Sequence, residues 1–507
     1  MSDNTAKSMR NGPRPSRNCE RFNAISATGG TDFELFCYKK PVNVVFILTD
    51  DQGYWTLGCG GNPDVITPNL DKLAREGMRF DNFFCASPVC SPARATLLTG
   101  DIPSKHGIID WLYGRDENEH LKGQTIYPEI LADNGYKCSL SGKWHVGTVH
   151  RPPKAFENWF AIKYGSSVYY DAPMVKNGEE VQTKGYLTDL ITDDAIGFIR
   201  QQVSDDKPFY ASVHYNAPHR PWGDSHPREI YDMYEGCEFT SCPIEEPHPW
   251  LKRIGERDNT PREENIRWYY AAITAMDMAV GRLMDTLDEL GVRDNTLVVF
   301  TSDNGFNCGH HGIWGKGNGT FPQNLYDTSV KVPAIFSHPG RIPGGVVRDD
   351  MVSQYDFFPT LMDYLSIEYA PGTARPGQSF APLLIGEETQ GFDRVVVYDE
   401  YGPVRMIRSK DYKYIHRYPY GPHEFYDLRH DPDEKQNLIG EAHIKETLHS
   451  LRADMESWFL KYADPKKDAR QFAVTGDGQN DLIRLALEGK NPFDDGLIVD
   501  GPRLVQE

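Results

Sequence analysis

The run Val42-Asn-Val-Val-Phe-Ile-Leu48 is almost wholly apolar, and the polar residues Thr49-Asp50-Asp51 follow it directly. A short, continuously apolar run is typical of a strand that is buried on both faces. Pro208-Phe-Tyr-Ala-Ser-Val213 and Thr296-Leu-Val-Val-Phe-Thr301 have the same character. Because these runs alternate with helical segments, the sequence predicts an α/β fold with a large, mainly parallel sheet flanked by helices.

Apolar residues ahead of the third run have the spacing of a helix. They follow one another at steps of 3, 4, 3, 4 and 3 residues: Ile273, Met276, Val280, Leu283, Leu287 and Leu290. These steps place them on one face of a long amphipathic helix. Gly291 is the expected end of that helix.

The pattern changes near residue 375. Arg394–Tyr398, Val404–Arg408 and Tyr412–His416 are short, half-polar runs separated by turn residues, which indicates an antiparallel sheet. We therefore expect a smaller C-terminal α+β subdomain after the main domain. The predicted segments are a polar N-terminal arm at residues 1–40, the main domain at 41–374, the C-terminal subdomain at 375–465 and a C-terminal extension at 466–507.

The composition excludes several classes of protein. The chain has 507 residues, and its 54 Lys and Arg against 73 Asp and Glu give a formal net charge of −19. Nucleic acid is not expected as a partner, because phosphate binding needs clustered basic residues. No run approaches the ~18 apolar residues of a membrane span. The first residues lack the apolar stretch of a secretory signal, so we expect a cytoplasmic protein as the sequence is written, or a periplasmic or secreted one if the start is truncated.

Nine cysteines are scattered along the chain. An odd, dispersed set in a long chain is a poor disulfide framework. Cys237 and Cys242 are close enough in sequence to pair or to bind a metal, but no second pair has a suitable spacing. We therefore expect free thiols.

Polar side chains follow two of the apolar runs at the point where each predicted strand ends. These are Asp50 and Asp51 after the first run, and Asp303 and Asn304 after the third. Ligands of open α/β sheets bind beyond the carboxyl ends of the strands. Three carboxylates and an amide oxygen suit Ca²⁺ or Mg²⁺ better than zinc. The alternative is that these residues are ordinary turn formers.

Cys90-Ser-Pro-Ala-Arg94 is followed by Ala-Thr-Leu-Leu-Thr99-Gly100. Pro92 fits the first turn of a helix, so Cys90 is expected at a helix N-terminus, where free N–H groups and the dipole favour negative charge. Arg94 lies one turn further on and can reach back across that face. The pattern favours a nucleophilic cysteine with a low pKa. The alternative is an ordinary buried cysteine, which is a common position for a free thiol.

Together these motifs resemble the signatures of the sulfatase family. Cys90–Arg94 with Thr99-Gly100 is similar to the family signature Cys-x-Pro-Ser/Ala-Arg-x₄-Thr-Gly. Gly135–His145 resembles the second signature, with Cys138 where Ser or Thr is usual. Further matches follow in family order: Thr49–Asp51, Ala217–Pro221, Ser302–Gly305 with Lys316, and Glu424–Leu428 with Asn437. The matches span about residues 42–440.

The resemblance implies a formylglycine-dependent (type I) sulfatase of the alkaline phosphatase superfamily, with residues 41–374 as the catalytic domain. A formylglycine-generating or radical-type maturation enzyme would oxidise Cys90 to formylglycine. The hydrate of this aldehyde would then attack the sulfur of the substrate. One Ca²⁺, with Mg²⁺ possible, would be held by Asp50, Asp51, Asp303 and Asn304. The remaining implied roles are anchoring of the formylglycine by Arg94, stabilisation of sulfate oxygens by Lys143 and Lys316, help with elimination by His145 and protonation of the leaving alcohol by His219.

The Gly-rich segment Gly305–Thr320 departs from the family pattern, because it carries His310 and His311. Either histidine could contact a sugar or replace His219 as the acid, and packing within the loop is the alternative. Tyr326–Pro333 stands where other members often have Glu-Gly-Gly, which leaves the subfamily open.

Arg220 and Trp222, beside the predicted acid, are candidate substrate contacts, because an aromatic ring and a basic group suit a sulfated sugar. We therefore expect a sulfated carbohydrate, an oligosaccharide or a polysaccharide fragment, as the substrate. Two alternatives stay open. One is a phosphonate monoester or phosphodiester hydrolase with the same site, and the other is a carbohydrate-binding protein in which Cys90 is not matured.

Overall fold

The computed structural model describes residues 40–115, 117–251, 261–370, 374–399, 403–472, 478–483, 487–490 and 492. The strands are β1 Asn43–Thr49, β2 Met78–Phe80, β3 Phe83–Phe84, β4 Lys137–Gly142, β5 Phe156–Ile162, β6 Pro173–Lys176, β7 Glu179–Gln182, β8 Phe209–His214, β9 Thr296–Ser302, β10 Asn307–Cys308, β11 Trp314–Gly315, β12 Lys331–Val332, β13 Ala334–Ser337, β14 Val346–Arg348, β15 Val352–Ser353, β16 Arg394–Asp399, β17 Val404–Ser409, β18 Tyr412–Arg417 and β19 Glu424–Asp427. The helices are α1 Pro68–Arg75, α2 Cys90–Thr99, α3 Pro103–His106, α4 Tyr127–Asp133, α5 Leu187–Ser204, α6 Arg228–Asp232, α7 Arg262–Glu289, α8 Asp327–Val330, α9 Gln354–Tyr364, α10 Ala381–Leu384 and α11 Lys445–Tyr462.

The centre of the fold, as far as the described residues show it, is a ten-stranded sheet with the order β14-β2-β13-β9-β1-β8-β4-β5-β6-β7. Strands β9, β1, β8, β4 and β5 are parallel neighbours. Antiparallel partners flank them, with β13 on one side and β6 and β7 on the other. The predicted large, mainly parallel sheet is confirmed, and its antiparallel strands lie towards the edges.

Both faces of the central strand β1 are buried, as its apolar run predicts. Val44 and Phe46 pack into one hydrophobic core together with Phe357 of α9. Val45 and Ile47 point to the other face and pack into a second core with residues of α5 and α7. Because side chains alternate along the strand, the sheet has one hydrophobic core on each face, and helices cover both.

The helix predicted from the apolar spacing is confirmed as part of α7. Ile273, Met276, Val280, Leu283 and Leu287 are all buried on its inner face. The chain reverses after the helix at a glycine with a φ of 66°, a conformation that favours this residue type.

Strands β16 to β19 form a separate four-stranded sheet in which every neighbour is antiparallel. Helix α11 covers one face, where Met455 and Phe459 pack against Ile407 and Phe425. This confirms the antiparallel sheet expected towards the C-terminus. The segment boundaries at residues 374 and 465 stay predictions. The arm at 1–40 lies outside the described residues except for Lys40, and the extension at 466–507 is described only in part.

Within the described part of the chain, every helix is too short or too polar to serve as a membrane span.

Four neighbouring strands end at a common edge of the large sheet. The last residues of β1 and β9, Thr49 and Ser302, are register partners. The last residues of β4 and β8, Gly142 and His214, are register partners as well. Residues that directly follow these strands are therefore brought together at one place.

Candidate active site

The acidic residues that follow β1 and β9 form a buried cluster at this edge. Asp50, Asp303 and Asn304 have no exposed surface, and Asp51 is 3% exposed. The backbone N–H of Asp51 donates to Asp303 Oδ1 at 3.2 Å, and Asn304 Nδ2 donates to Asp51 Oδ1 at 2.8 Å. The predicted ligand set is thus one continuous cluster, contributed by two strand ends.

Two buried lysines neutralise carboxylates of the acidic cluster. Lys143, the residue after β4, donates from Nζ to Asp50 Oδ2 at 2.5 Å, and neither side chain is exposed. Lys316 donates from Nζ to Asp51 Oδ1 at 2.5 Å. Burial by itself would raise the pKa of Asp51, but the Lys316 ammonium holds that pKa below its usual value. Asp51 therefore remains ionised inside the protein, whereas burial and the neighbouring Asp50 carboxylate raise the pKa of Asp303 to about 6.

Cys90 is the first residue of α2, as predicted, and it faces the acidic cluster. Its Sγ lies 2.7 Å from Lys316 Nζ and 3.5 Å from Asp50 Oδ1. Burial raises the pKa of the thiol to about 12, and the nearby Lys143 and Lys316 offset only part of that effect. The expectation of a low cysteine pKa is therefore wrong, because the thiol has no contact with water that would stabilise its charge.

Arg94 lies one helical turn after the cysteine and fixes two parts of the site. Its Nε donates to Asp303 Oδ2 at 2.8 Å, and its Nη1 donates to the carbonyl of Lys143 at 2.9 Å. The third nitrogen, Nη2, is buried and has no partner among the described residues. One donor of the guanidinium thus remains available for a group inside the site.

Of the two histidines predicted to move protons, His219 borders the acidic cluster, and His145 lies near the buried cations Lys143 and Arg94. His219 Nε2 lies 3.7 Å from Asp51 Oδ2, and Nδ1 lies 2.8 Å from the carbonyl of Arg220, to which it can donate. His145 Nε2 lies 2.8 Å from the carbonyl of Leu112, and its Nδ1 is buried without a partner among the described residues. Burial lowers the pKa of His219 to about 4 and lowers that of His145 as well.

The predicted substrate contacts pack against aromatic rings of the surrounding loops. Arg220 lies 5.2 Å from the centre of the Trp222 ring, and Trp222 is itself buried. The His310 ring packs on Trp55 at 4.7 Å, and the His311 ring stacks on Tyr326 at 3.6 Å. Among the described residues, the contacts of these four side chains do not reach the acidic cluster, and their substrate roles stay predictions.

Residues that are distant in sequence, and that no motif indicates, hold the acidic loops in place. Tyr269 of α7 donates its hydroxyl to the carbonyl of Asp51 at 2.9 Å. Gln354, the first residue of α9, donates from Nε2 to the carbonyls of Ser302 and Asp303 at 3.1 and 2.7 Å. Neither residue lies in a motif, and only the packing of α7 and α9 against the sheet brings them here.

The acidic cluster fits a hard divalent cation. Asn304 Oδ1 is buried and has no partner among the described residues, although its amide nitrogen is fully used. Donor atoms of Asp50, Asp51 and His219 lie within 4.8 Å of one another, as do those of Asp50, Cys90 and Asp303. An unpaired amide oxygen beside ionised carboxylates is the donor set that Ca²⁺ and Mg²⁺ prefer.

Comparison with protein families and with known proteins agrees with this geometry. A family model described as Sulfatase matches residues 42–367, and one described as N-sulphoglucosamine sulphohydrolase, C-terminal, matches residues 309–460. An ulvan-active sulfatase of Formosa agariphila is 31% identical over 84% of this chain and 83% of its own length. An N-acetylglucosamine-6-O-sulfatase of Bacteroides thetaiotaomicron is 27% identical over 86% of this chain and 89% of its own length.

The fold is also similar to that of a solved structure. A protein solved in complex with its substrate D-glucosamine-2-N,6-O-disulfate superposes with a TM-score of 0.73 at 25% identity, over 85% of this chain and 99% of that protein. The family match covers most of the chain and includes both strand ends that carry the acidic cluster. The chain therefore belongs to the sulfatase family, and it is a sulfatase.

Proposed function

We propose that this sulfatase removes sulfate from a sulfated carbohydrate, with a formylglycine made from Cys90 as nucleophile and one Ca²⁺ as its metal. The observation that carries the proposal is the buried contact of Cys90 with Lys316 and Asp50, which places residue 90 between a cation and the acidic cluster. Residues of this cluster lie at the carboxyl edge of the sheet, where open α/β folds bind their ligands.

The charges of the site support an anionic substrate. Three buried carboxylates, Asp50, Asp51 and Asp303, face three buried cations, Arg94, Lys143 and Lys316, so the formal sum is 3 − 3 = 0. A bound divalent cation brings the sum to +2. A local positive charge attracts a sulfate ester even though the chain as a whole carries −19.

The metal would be held by Asp50, Asp51, Asp303 and the unpaired Oδ1 of Asn304. When bound, it would withdraw electron density from a sulfate oxygen and so favour attack at sulfur. Calcium is preferred to magnesium here because four protein oxygens make a cage, whereas Mg²⁺ usually retains several waters and uses few protein ligands.

Conversion of Cys90 is consistent with the state of its thiol. The pKa of the thiol is raised to about 12, so at neutral pH it is protonated and a poor nucleophile. A hydrated formylglycine would supply an attacking hydroxyl instead. Lys316 Nζ and the free Nη2 of Arg94 are the donors positioned to orient an oxygen at residue 90. This chain would then need a formylglycine-generating or radical-type maturation enzyme as a partner.

Two histidines of the site are the candidates to move protons, His219 beside the acidic cluster and His145 near Lys143. When the ring of His219 is protonated, Nδ1 remains bonded to the carbonyl of Arg220, and the proton on Nε2 points towards Asp51. Nε2 is therefore the atom that can donate to a leaving alcohol. His145 offers Nδ1 as an unpaired acceptor, because its Nε2 is bonded to the carbonyl of Leu112.

A carbohydrate substrate is supported by the relatives rather than by contacts in the site. The similar proteins named above are sulfatases of N-acetylglucosamine and of ulvan, and the similar structure contains a sulfated glucosamine. Arg220 with Trp222, and the loop carrying His310 and His311, remain the candidate sugar contacts.

The test compares several substrates and two cysteine variants, one at the proposed nucleophile and one at a nearby control position. The protein is produced together with a maturation enzyme, and release of inorganic sulfate is measured from N-acetylglucosamine 6-sulfate and D-glucosamine-2-N,6-O-disulfate, alongside a phosphodiester and a phosphonate monoester. We expect sulfate release that Cys90→Ala abolishes and that Cys85→Ala, a change of another buried cysteine nearby, retains. Clear preference for the phosphodiester or the phosphonate, or full activity of Cys90→Ala, would refute the proposal.

Maturation is tested on the tryptic peptide Phe80–Arg94, which contains both cysteines. Mass spectrometry should locate an aldehyde at residue 90 and an unmodified thiol at residue 85. A thiol at residue 90, in a host that matures other sulfatases, would instead support the unmatured carbohydrate-binding protein.

A further inference from the structure

The backbone of Lys143 is held by three hydrogen bonds, and His214 makes two of them. The N–H of Lys143 donates to the carbonyl of His214 at 2.8 Å. The carbonyl of Lys143 accepts from Arg94 Nη1 at 2.9 Å and from His214 Nδ1 at 3.0 Å. Because a carbonyl oxygen can only accept, the ring of His214 carries a proton on Nδ1. Lys143 is therefore fixed at both of its peptide groups.

Strands β4 and β8 approach each other closely beside Lys143. Gly142, the last residue of β4, has a φ of 115°, and a Cβ placed on it would lie 1.8 Å from the carbonyl oxygen of His214. A glycine meets both demands, because it has no Cβ and tolerates a positive φ. The contact between His214 and Lys143 is thus set by the course of the two strands.

A buried chain of hydroxyl groups holds the other side of the His214 ring. Nε2 of this ring lies 2.7 Å from Ser212 Oγ, which lies 3.0 Å from the hydroxyl of Tyr210. The Tyr210 hydroxyl also contacts the hydroxyl of Tyr127, the first residue of α4. All four side chains are buried.

The direction of every bond in this chain is determined. Burial lowers the pKa of His214 to about 3, and the nearby Arg94 charge acts in the same direction, so the ring is neutral at neutral pH. With its one proton on Nδ1, the ring accepts at Nε2 from the Ser212 hydroxyl. Ser212 then accepts from Tyr210, and Tyr210 accepts from Tyr127. A ring with its proton on Nε2 would lose the bond to the Lys143 carbonyl.

We propose that His214 is a positioning residue for Lys143. With its proton on Nδ1, the ring holds the carbonyl of this lysine, so that the Lys143 ammonium group stays beside Asp50, 2.5 Å from Oδ2. The proposal rests on the proposed function, in which Lys143 is one of the cations that attract the sulfate ester. A reacting group displaced by ~1 Å can lose about 10² in rate. Without the Nδ1 bond, the Lys143 carbonyl keeps only Arg94 as a partner among the described residues.

Two substitutions separate a positioning role from a packing role. His214→Asn keeps an amide N–H that can take the place of Nδ1, whereas His214→Leu removes the donor. Both should lower the melting temperature, because each disturbs a packed interior. In steady-state release of sulfate from N-acetylglucosamine 6-sulfate, His214→Leu should lower kcat about 10²-fold with little change in KM. His214→Asn should recover kcat to within about tenfold of the wild-type value.

His338→Leu is the matched control. His338 is also fully buried and also lies within hydrogen-bond distance of a backbone carbonyl, that of Asp294 at 3.1 Å. Its replacement should lower the melting temperature and leave kcat unchanged. An unchanged kcat in His214→Leu, or an equal loss of kcat in His214→Asn, would overturn the proposal.

NMR of protein labelled with nitrogen-15 histidine tests the state of the ring without any reaction. The resonances that are missing in His214→Asn identify His214. We expect a protonated Nδ1, an unprotonated Nε2 and no titration between about pH 5 and pH 8. The two failures are distinguishable: a matured wild-type protein that releases no sulfate refutes the proposed function, whereas a proton on Nε2 refutes the assignment of His214 whichever substrate is cleaved.

Discussion

The substitution Lys143→Met tests the charge balance of the buried cluster. It removes an ammonium group that lies 2.5 Å from the Asp50 carboxylate, and neither side chain is exposed. Methionine has a similar length, so the change removes charge and leaves the volume nearly constant. Removing one partner of a buried ion pair costs about 3–5 kcal/mol, because the remaining charge is left without compensation in a medium of low polarity.

The cost should depend on metal. Without a divalent cation, the wild-type cluster sums to zero and the variant sums to −1, since one of the three cations is lost. A divalent cation held by Asp50 would supply the missing positive charge. We therefore expect the full loss of about 3–5 kcal/mol in chelator and a clearly smaller loss in saturating calcium.

Urea unfolding, followed by tryptophan fluorescence, measures the loss of stability in EDTA and at each step of a calcium titration. Lys122→Met is the matched control, because Lys122 forms an exposed pair with Glu119 at 3.2 Å. Such a pair contributes at most about 1 kcal/mol, with no dependence on calcium. The reasoning is refuted if Lys143→Met is no less stable than the control variant, or if it loses the same stability in EDTA and in calcium.

Three further predictions concern other parts of the protein. Lys316→Ala should lower kcat by about 10²–10³ in steady-state sulfate release, and an unchanged kcat would exclude the lysine from stabilising the ester. Burial raises the pKa of Asp356 from 3.8 to about 7, so between these pH values the folded state holds a proton that the unfolded state has released, and stability falls as pH rises. Asp356→Asn should reduce that slope in urea unfolding at several pH values, and an unchanged slope would contradict the assignment. Gly312→Ala should lower the melting temperature, because a Cβ there would lie 1.9 Å from the carbonyl of Glu246, whereas Gly236→Ala, also at positive φ but in open space, should lower it less. Equal effects of the two glycine changes would contradict this reading of the backbone contact.

The acidic cluster was predictable because it depends on a local rule. An apolar run followed by acidic residues indicates where a buried strand ends, and parallel neighbours end at the same edge of a sheet. The register pairing of Thr49 with Ser302 meets both conditions. The start of α2 at Cys90 was predictable for a similar reason, since Pro92 fits only the first turn.

Properties that depend on the whole environment were not predictable from sequence. The helix N-terminus favoured a low pKa for Cys90, but burial among distant elements raises it instead. Cys237 and Cys242 are free thiols, as expected, but the 3.6 Å contact between Cys242 Sγ and the hydroxyl of Tyr270 depends on packing that sequence spacing does not indicate. The stacking of His311 on Tyr326 depends in the same way on packing between loops.

The ion pairs of the cluster explain how one set of side chains can serve both stability and catalysis. Three buried carboxylates without counter-charges would repel one another and would be protonated or would disrupt the fold. Lys143 and Lys316 prevent this by binding one carboxylate each. With a divalent cation bound among the same oxygens, the carboxylates would no longer need both ammonium groups. The two lysines could then turn their N–H donors to a sulfate group without leaving an unpaired buried charge. On this view each lysine must be flexible enough to exchange partners, which is why replacement by a neutral residue should impair stability in chelator and turnover in calcium.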